Sequence, residues 1–136
     1  MTGERDLNAL LRQMKPELRP GTFAFCTIAA DETIAAVVDP LLIFREQEGT
    51  TVVAPLEDAE RAGLRYEFAS RLITLTVHSA LDAVGFLAAI TARLAQAGIS
   101  VNAVSAFHHD HLFIPVDRAD EAMAVLREMS AATLDR

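Results

Sequence analysis

The order of apolar patterns in the second half of the chain constrains its fold most. Residues 71–78 (RLITLTVH) alternate apolar and polar side chains, which predicts a half-buried strand. A helical stripe follows, then two strand-like runs in residues 100–107 and 112–116, and a second helical stripe from Ala119. The order strand, helix, strand, strand, helix places the chain in the α+β class.

The helix after residues 71–78 is predicted to begin at Ser79, because Asp82 three residues later makes a capping-box-like start. Gly98 is expected to end it. Its apolar stripe comprises Val84, Leu87, Ile90, Leu94 and Ala97. The stripe of the last helix comprises Ala119, Ala122, Met123, Leu126 and Met129.

The first half shows a similar order after an extra helix in residues 6–14. Strands are predicted in residues 22–28 and 65–69, a short helix in residues 31–38, a hairpin in residues 41–55 and a helix in residues 56–64. A weak internal repeat supports the division: each half has a Phe at a hairpin, a Pro at its end and an Ala four residues later. These are Phe44, Pro55 and Ala59 in one half, and Phe107, Pro115 and Ala119 in the other.

We therefore predict two ferredoxin-like (βαββαβ) units, 1–69 with the extra N-terminal helix and 70–136. After the last helix only SAATLDR remains, which is poor material for a strand. The second unit is therefore expected to lack its last strand, or to have it supplied from elsewhere. Units of about 60 residues are marginal alone, so we expect them to pack together and the chain to form a homodimer.

Composition excludes several classes of protein. The chain has 136 residues, 51% of them hydrophobic, and a net charge of −7, which disfavours nucleic-acid binding through phosphates. No apolar run approaches the roughly 20 residues of a membrane span, and the charged N-terminus lacks the apolar segment of a signal peptide. With Cys26 as the single cysteine, we expect a reduced, cytoplasmic setting.

No motif for catalysis is present. The chain lacks a P-loop, GxGxxG, GxSxG and HExxH, and its acidic residues near the first hairpin are typical of a solvated face. We therefore expect neither an enzyme nor a cofactor.

The stretch FHHDHLF (residues 107–113) places three histidines and Asp110 within four positions, and it raises the question of a metal site. Taking the first and third strands of the unit as parallel neighbours, we expect this turn to lie near Arg71, roughly 20 Å from His78. Adjacent strand residues point to opposite faces, so convergent ligands for zinc are lacking. The prediction is a polar hairpin tip, with Asp110 as a turn residue and no metal.

The loop that begins at His78 is the best functional candidate. A helix N-terminus offers unpaired N–H groups that suit a carboxylate, and Gly85 would let a ligand approach closely. Asn102, on the following strand, could recognise an amino group, whereas Ser105 should point to the opposite face. The ordinary alternatives are a capping serine, a packing glycine and a solvated polar residue.

Residues 5–130 resemble small bacterial proteins built from two ACT domains, on the motifs FREQEG, LTVHS, AVG, GIS and HDHLF in this order. These proteins are similar to the regulatory portions of aspartate kinases and to CASTOR-type ACT domains. The resemblance implies non-catalytic, regulatory binding of a small amino acid or related metabolite at an interface between ACT units, with the signal passed to a separate enzyme. The implied ligand-binding residues are His78, Ser79, Leu81, Val84, Gly85, Asn102 and Val104.

Two other functions remain open at this point. One is a ligand-free interaction module that uses Thr74, Thr76 and His78 as an exposed contact surface. The other is a metal-dependent enzyme built on the histidine-rich turn.

Overall fold

A computed structural model describes residues 3–30, 32–34 and 38–134 of the chain. Part of the helix predicted for residues 31–38 therefore lies outside the described residues. The helices are α1 (Leu7–Gln13), α2 (Leu56–Arg61), α3 (Phe86–Gln96) and α4 (Ala119–Leu134), with a 3₁₀ turn over Val116–Arg118. The strands are β1 (Pro16–Leu18), β2 (Phe23–Ile28), β3 (Leu42–Arg45), β4 (Thr50–Pro55), β5 (Arg65–Leu75), β6 (Asn102–Ser105) and β7 (Asp110–Pro115).

The chain divides into two compact units. Gly21–Ser70 form the first unit, and Met1–Pro20 together with Arg71–Arg136 form the second unit. Residues 1–20 were predicted to belong to the first half of the chain, whereas the described residues 3–20 pack in the second unit. The separate strands predicted for residues 65–69 and 71–78 are one strand, β5, which passes from the first unit into the second.

The first unit is a ferredoxin-like antiparallel sheet in the order β3-β4-β2-β5. One face of β2 and β4 carries small apolar side chains, on which Ala59 of α2 packs. Burial of these side chains away from water is the main stabilising contribution in such a core. The buried cluster comprises Ala24, Cys26, Ile28, Val38, Val52, Ala54 and Ala59.

The second unit has its strands in the order β1-β5-β7-β6, and β1 takes the place of a fourth strand. Pro16 pairs with Leu75 and Leu18 with Ile73, antiparallel. Proline is compatible with this position because it begins a strand at the edge of the unit's sheet. The expectation that the fourth strand could be supplied from elsewhere is confirmed, because β1 comes from the N-terminal segment.

The helix that precedes β1 contributes to the core of the second unit. Asp6 caps α1 by accepting a hydrogen bond from the N–H of Ala9 at 2.9 Å, and Leu10 and Met14 are buried. They join a cluster drawn from β5, β7, α3 and α4 that includes Ile73, Leu75, Phe86, Ile90, Leu94, Leu112, Ile114 and Leu126. Residues 7–18 are thus an integral part of this unit.

The hairpins of the two units have the same register, displaced by 60 positions. Arg45 pairs with Thr50, and Ser105 pairs with Asp110. In both turns the N–H of the first residue donates to the carbonyl of the fourth at 3.0 Å, from Glu46 to Gly49 and from Ala106 to His109.

This register corrects part of the residue alignment that the internal repeat had suggested. Pro55 and Ala59 do correspond to Pro115 and Ala119, as the sequence indicated. Phe44, however, matches Val104 on β6 and not Phe107, which lies in the turn. The two aromatic residues were therefore wrongly aligned.

The predicted start of α3 is also wrong. The helix begins at Phe86, so Val84 precedes it, and its buried face consists of Phe86, Ile90 and Leu94. Within the described residues, no helix combines the length and the apolar character needed to span a membrane.

We predict that Leu10→Ala destabilises the protein by about 2–5 kcal/mol, because it leaves a cavity in the core of the second unit. Urea unfolding followed by circular dichroism would measure the change. Leu41→Ala is the matched control, since Leu41 is 48% exposed, and should change stability by only about 0.5 kcal/mol. Equal effects of the two substitutions would contradict the role of α1 in the core.

Candidate functional site

Five of the predicted binding residues lie in the ten-residue loop between β5 and α3. These are His78, Ser79, Leu81, Val84 and Gly85. The loop is longer than expected because Ser79 does not cap a helix. Its hydroxyl donates elsewhere, and the helix begins only after Gly85, whose φ of +93° suits glycine.

The first part of the loop is held by the N-terminal segment. Glu4 N–H donates to the carbonyl of His78 at 2.9 Å, and Ala80 N–H donates to the carbonyl of Glu4 at 2.8 Å. Arg5 makes two hydrogen bonds to the carboxylate of Asp82, at 3.0 and 3.1 Å. These bonds from Arg5 hold the pKa of Asp82 below its ordinary value.

The histidine-rich turn lies beside this loop. The ring centroids of His78 and His108 are 5.8 Å apart, so the predicted separation of roughly 20 Å is wrong. The error came from taking the first and third strands of the unit as parallel neighbours. In the first unit the corresponding strands, β2 and β4, pair antiparallel, an arrangement that puts the hairpin turn at the end of the first strand.

The four histidines form a chain of neighbouring rings. Centroids are 6.4 Å apart for His108 and His109, and 6.2 Å apart for His109 and His111. His111 Nδ1 lies 3.0 Å from the hydroxyl of Thr74. Over the described part of the chain, no three His, Cys, Asp or Glu side chains are grouped so that they could hold a metal ion.

Thr74 is buried, with 7% of its surface exposed. The exposed contact surface that we predicted for Thr74, Thr76 and His78 is therefore not present in that form. The hydroxyl of Thr76 donates to the carbonyl of Lys15 at 2.9 Å, so the segment leading into β1 also covers this residue.

The carboxylate of Asp110 connects the loop with the hairpin. The residue is only 5% exposed. Ser79 donates to its Oδ2 at 2.8 Å, and Ser105 donates to its Oδ1 at 2.5 Å. No ion pair to Asp110 is formed by any residue that the structure describes.

Asp110 is the residue that the sequence analysis missed. It was interpreted as a turn residue, yet it is the first residue of β7. The available signal was the hairpin register, which places Ser105 opposite Asp110. The contact of Asp110 with Ser79 could be predicted only with the direction of the neighbouring strands.

A small cavity of about 40 Å³ lies against this carboxylate. A cavity of this size has room for a small polar group, because about 10–15 Å³ of such volume is enough for one water. The first turn of α3 forms part of its wall. The lining residues are Ser79, Ala80, Leu81, Ala83, Phe86, Leu87, Ser105 and Asp110.

The predicted binding residues are distributed unevenly around the cavity. Ser79 and Leu81 line it, whereas Val84 is 85% exposed and projects from the loop. Asn102 and Val104 lie on β6, the edge strand of the second unit. Asn102 is three residues from Ser105, or about 10 Å along the strand.

The corresponding region of the first unit has different chemistry. A larger groove of about 600 Å³ is lined there by residues that include Arg45, Glu46 and Thr50. By the register of the hairpins, Arg45 matches Ser105 and Thr50 matches Asp110. The first unit thus has a hydroxyl where the second has a buried carboxylate.

The pKa of His111 is lowered from its ordinary value of about 6.5. The largest cause is burial, followed by the positive charge on His109, and the nearby charge of Asp110 acts in the opposite direction. The unfolded chain therefore binds a proton at this residue more readily than the folded chain does.

We predict that His111 makes stability depend on pH. Its contribution is present above the unfolded pKa of about 6.5 and is lost as the pH falls through the lower folded pKa. Urea midpoints between pH 7.5 and pH 5.5 should fall more steeply in the wild type and in His108→Asn than in His111→Asn. Equal pH slopes in His111→Asn and the wild type would contradict this assignment.

Two models of the ACT domain match the chain in tandem. Residues 2–71 match one model and residues 67–128 match the other. No curated protein matches the chain.

Solved structures similar to the chain cover most of its length. A protein of unknown function from Vibrio cholerae, described as a possible transport protein, is 41% identical, with 91% of this chain and 95% of that chain covered and a TM-score of 0.82. A protein from Agobacterium tumefaciens is 20% identical, with coverage of 86% and 89% and a TM-score of 0.74. The ligand-free regulatory subunit of aspartate kinase from Thermus thermophilus is 14% identical, with coverage of 84% and 95% and a TM-score of 0.56. The last two show a shared fold.

Proposed function

We propose that this chain, which belongs to the ACT domain family, is a non-catalytic regulatory protein that binds a small amino acid or a related metabolite. ACT domains typically bind amino acids for regulation, and the chain is similar in fold to a regulatory subunit of aspartate kinase. The observation that carries the proposal is the cavity between the β5–α3 loop and the first turn of α3.

The N-terminus of α3 supplies a position for the ligand's carboxylate. The first N–H groups of a helix have no intrahelical partner, and the helix dipole favours negative charge there. Gly85 is the N-cap of this eleven-residue helix, and none of the described side chains caps its N–H groups. Phe86 and Leu87, in its first turn, line the cavity, so an anion bound there would contact the site directly.

Regulation requires that the ligand bind one conformation of the protein more tightly than another. The loop from His78 to Gly85 is the element that we expect to change. Hydrogen bonds with Glu4 and Arg5 hold the first half of the loop, whereas Val84, near its end, is 85% exposed. A ligand bound between the loop and α3 would stabilise one conformation of the loop. The activity of a separate enzyme would respond to that conformation.

A homodimer would bring the remaining predicted residues to the site. Asn102 lies about 10 Å along the edge strand from Ser105, and Val104, the neighbour of Ser105, points to the opposite face of the strand. If β6 of a second copy lies against the loop, these side chains contact the ligand from across the dimer.

We expect at least one of the twenty amino acids, at 10 mM, to raise the melting temperature in a thermal-shift screen. A ligand present at about 100 times its Kd stabilises the folded state by about 2.7 kcal/mol, which corresponds to several degrees for a protein of this size. Taurine at the same concentration is a control for zwitterions that lack a carboxylate. If no amino acid raises the melting temperature, amino-acid binding by this chain is contradicted.

A ligand-free interaction module is the second candidate. The observation that favours it is the apolar surface of the loop itself, since Leu81 is 65% and Val84 is 85% exposed. Exposed apolar surface on a loop is typical of contact with another macromolecule. A negative amino-acid screen would leave this function as the better one.

A further inference from the structure

We propose that Asp110 binds the ammonium group of the ligand and thereby selects molecules that carry a primary amine. This assignment rests on the proposed function, because it concerns the same cavity. It adds a residue that none of the predicted binding positions includes, and it defines the chemical class of the ligand as a zwitterion.

The charge of Asp110 is the first reason. The residue is 5% exposed, and none of the described residues forms an ion pair with it. A buried carboxylate without a cationic partner is destabilising, because burial removes the charge from water. An arriving ammonium group would neutralise this charge.

The hydrogen-bonding capacity of the carboxylate is the second reason. Two oxygens offer about four acceptor positions. Ser79 occupies one position on Oδ2, and Ser105 occupies one on Oδ1. The two serines fix the orientation of the carboxylate while each oxygen keeps capacity for a further donor.

The size of the cavity is the third reason. Its volume of about 40 Å³ admits a small polar group such as an ammonium. The rest of the ligand would lie at the mouth, where Leu81 is 65% exposed.

The carboxylate of Asp110 and the first turn of α3 both line the cavity. Asp110 and Ser105 form one wall, and Phe86 and Leu87 of the first turn of α3 form another. An α-amino acid carries its ammonium and its carboxylate on the same carbon atom, so one molecule presents both charged groups to the site. A carboxylic acid without the amine would leave Asp110 buried and unpaired.

The test compares the wild type, Asp110→Asn and Asp120→Asn in thermal-shift and calorimetric titrations with the twenty amino acids. Asp120 is the matched control, since it is an exposed carboxylate in the first turn of α4. Acetate, propionate and 3-methylbutanoate serve as the amine-free counterparts of glycine, alanine and valine. These acids test the wild type directly, so the result does not depend on the folding of a variant.

The expected result is that amino acids which stabilise the wild type also stabilise Asp120→Asn, while their Kd for Asp110→Asn rises at least tenfold. The amine-free acids should bind the wild type at least tenfold more weakly than the amino acids do. Asp110→Asn without ligand should melt no lower than the wild type, because it removes an unpaired buried charge.

Three other outcomes would overturn the assignment. Equal binding of amino acids to Asp110→Asn and the wild type would show that Asp110 does not contact the ligand, and amino-acid binding itself would stand. Equal binding of the amine-free acids would exclude selection for an amine. A lower melting temperature of Asp110→Asn with unchanged ligand response would assign Asp110 a purely structural role.

Discussion

The pairing of β1 with β5 is the interaction on which the second unit depends. Three residues, Pro16–Leu18, supply the edge strand of this unit's sheet. The pairing also brings α1 onto α4 and buries Leu10 and Met14 with the side chains of the second unit. It further places Glu4 and Arg5 against the loop that follows β5. One short strand therefore completes the core and fixes one side of the candidate site.

The candidate site combines features that are unfavourable for stability with features that suit a ligand. Among the described residues, the partners of the buried Asp110 carboxylate are two hydroxyl groups, and no side chain caps the N-terminus of α3. A buried charge without a cation and helix N–H groups without partners both lower stability. Both would be relieved by one molecule that carries an ammonium and a carboxylate. Local departures of this kind from the most stable arrangement are common at functional sites. The first unit has Thr50 where the second has Asp110, so the two ACT units are not chemically equivalent.

Local patterns in the sequence were sufficient to predict most elements and the fold class. The hairpins, β2 and the apolar face of α4 follow from periodicity over a few residues, which requires no knowledge of distant neighbours. Strand β1 could not be found in this way, because the three residues between Lys15 and Arg19 are too few to establish a period. The start of α3 was misplaced because Ser79 and Asp82 have the spacing of a cap. In the folded chain these residues bond instead to Asp110 and Arg5.

The distance between His78 and the histidine-rich turn depends on the direction of neighbouring strands, and local sequence patterns do not give that direction. Once that direction is known, Ser79, Ser105 and Asp110 come together and the cavity is defined.

The most direct test of the account is a crystal structure of the protein with a bound amino acid. We predict that the ligand's nitrogen lies about 2.7–2.9 Å from the carboxylate of Asp110, with its carboxylate at the N–H groups that begin α3. An amino acid bound elsewhere, with Asp110 still contacting only Ser79 and Ser105, would contradict the account.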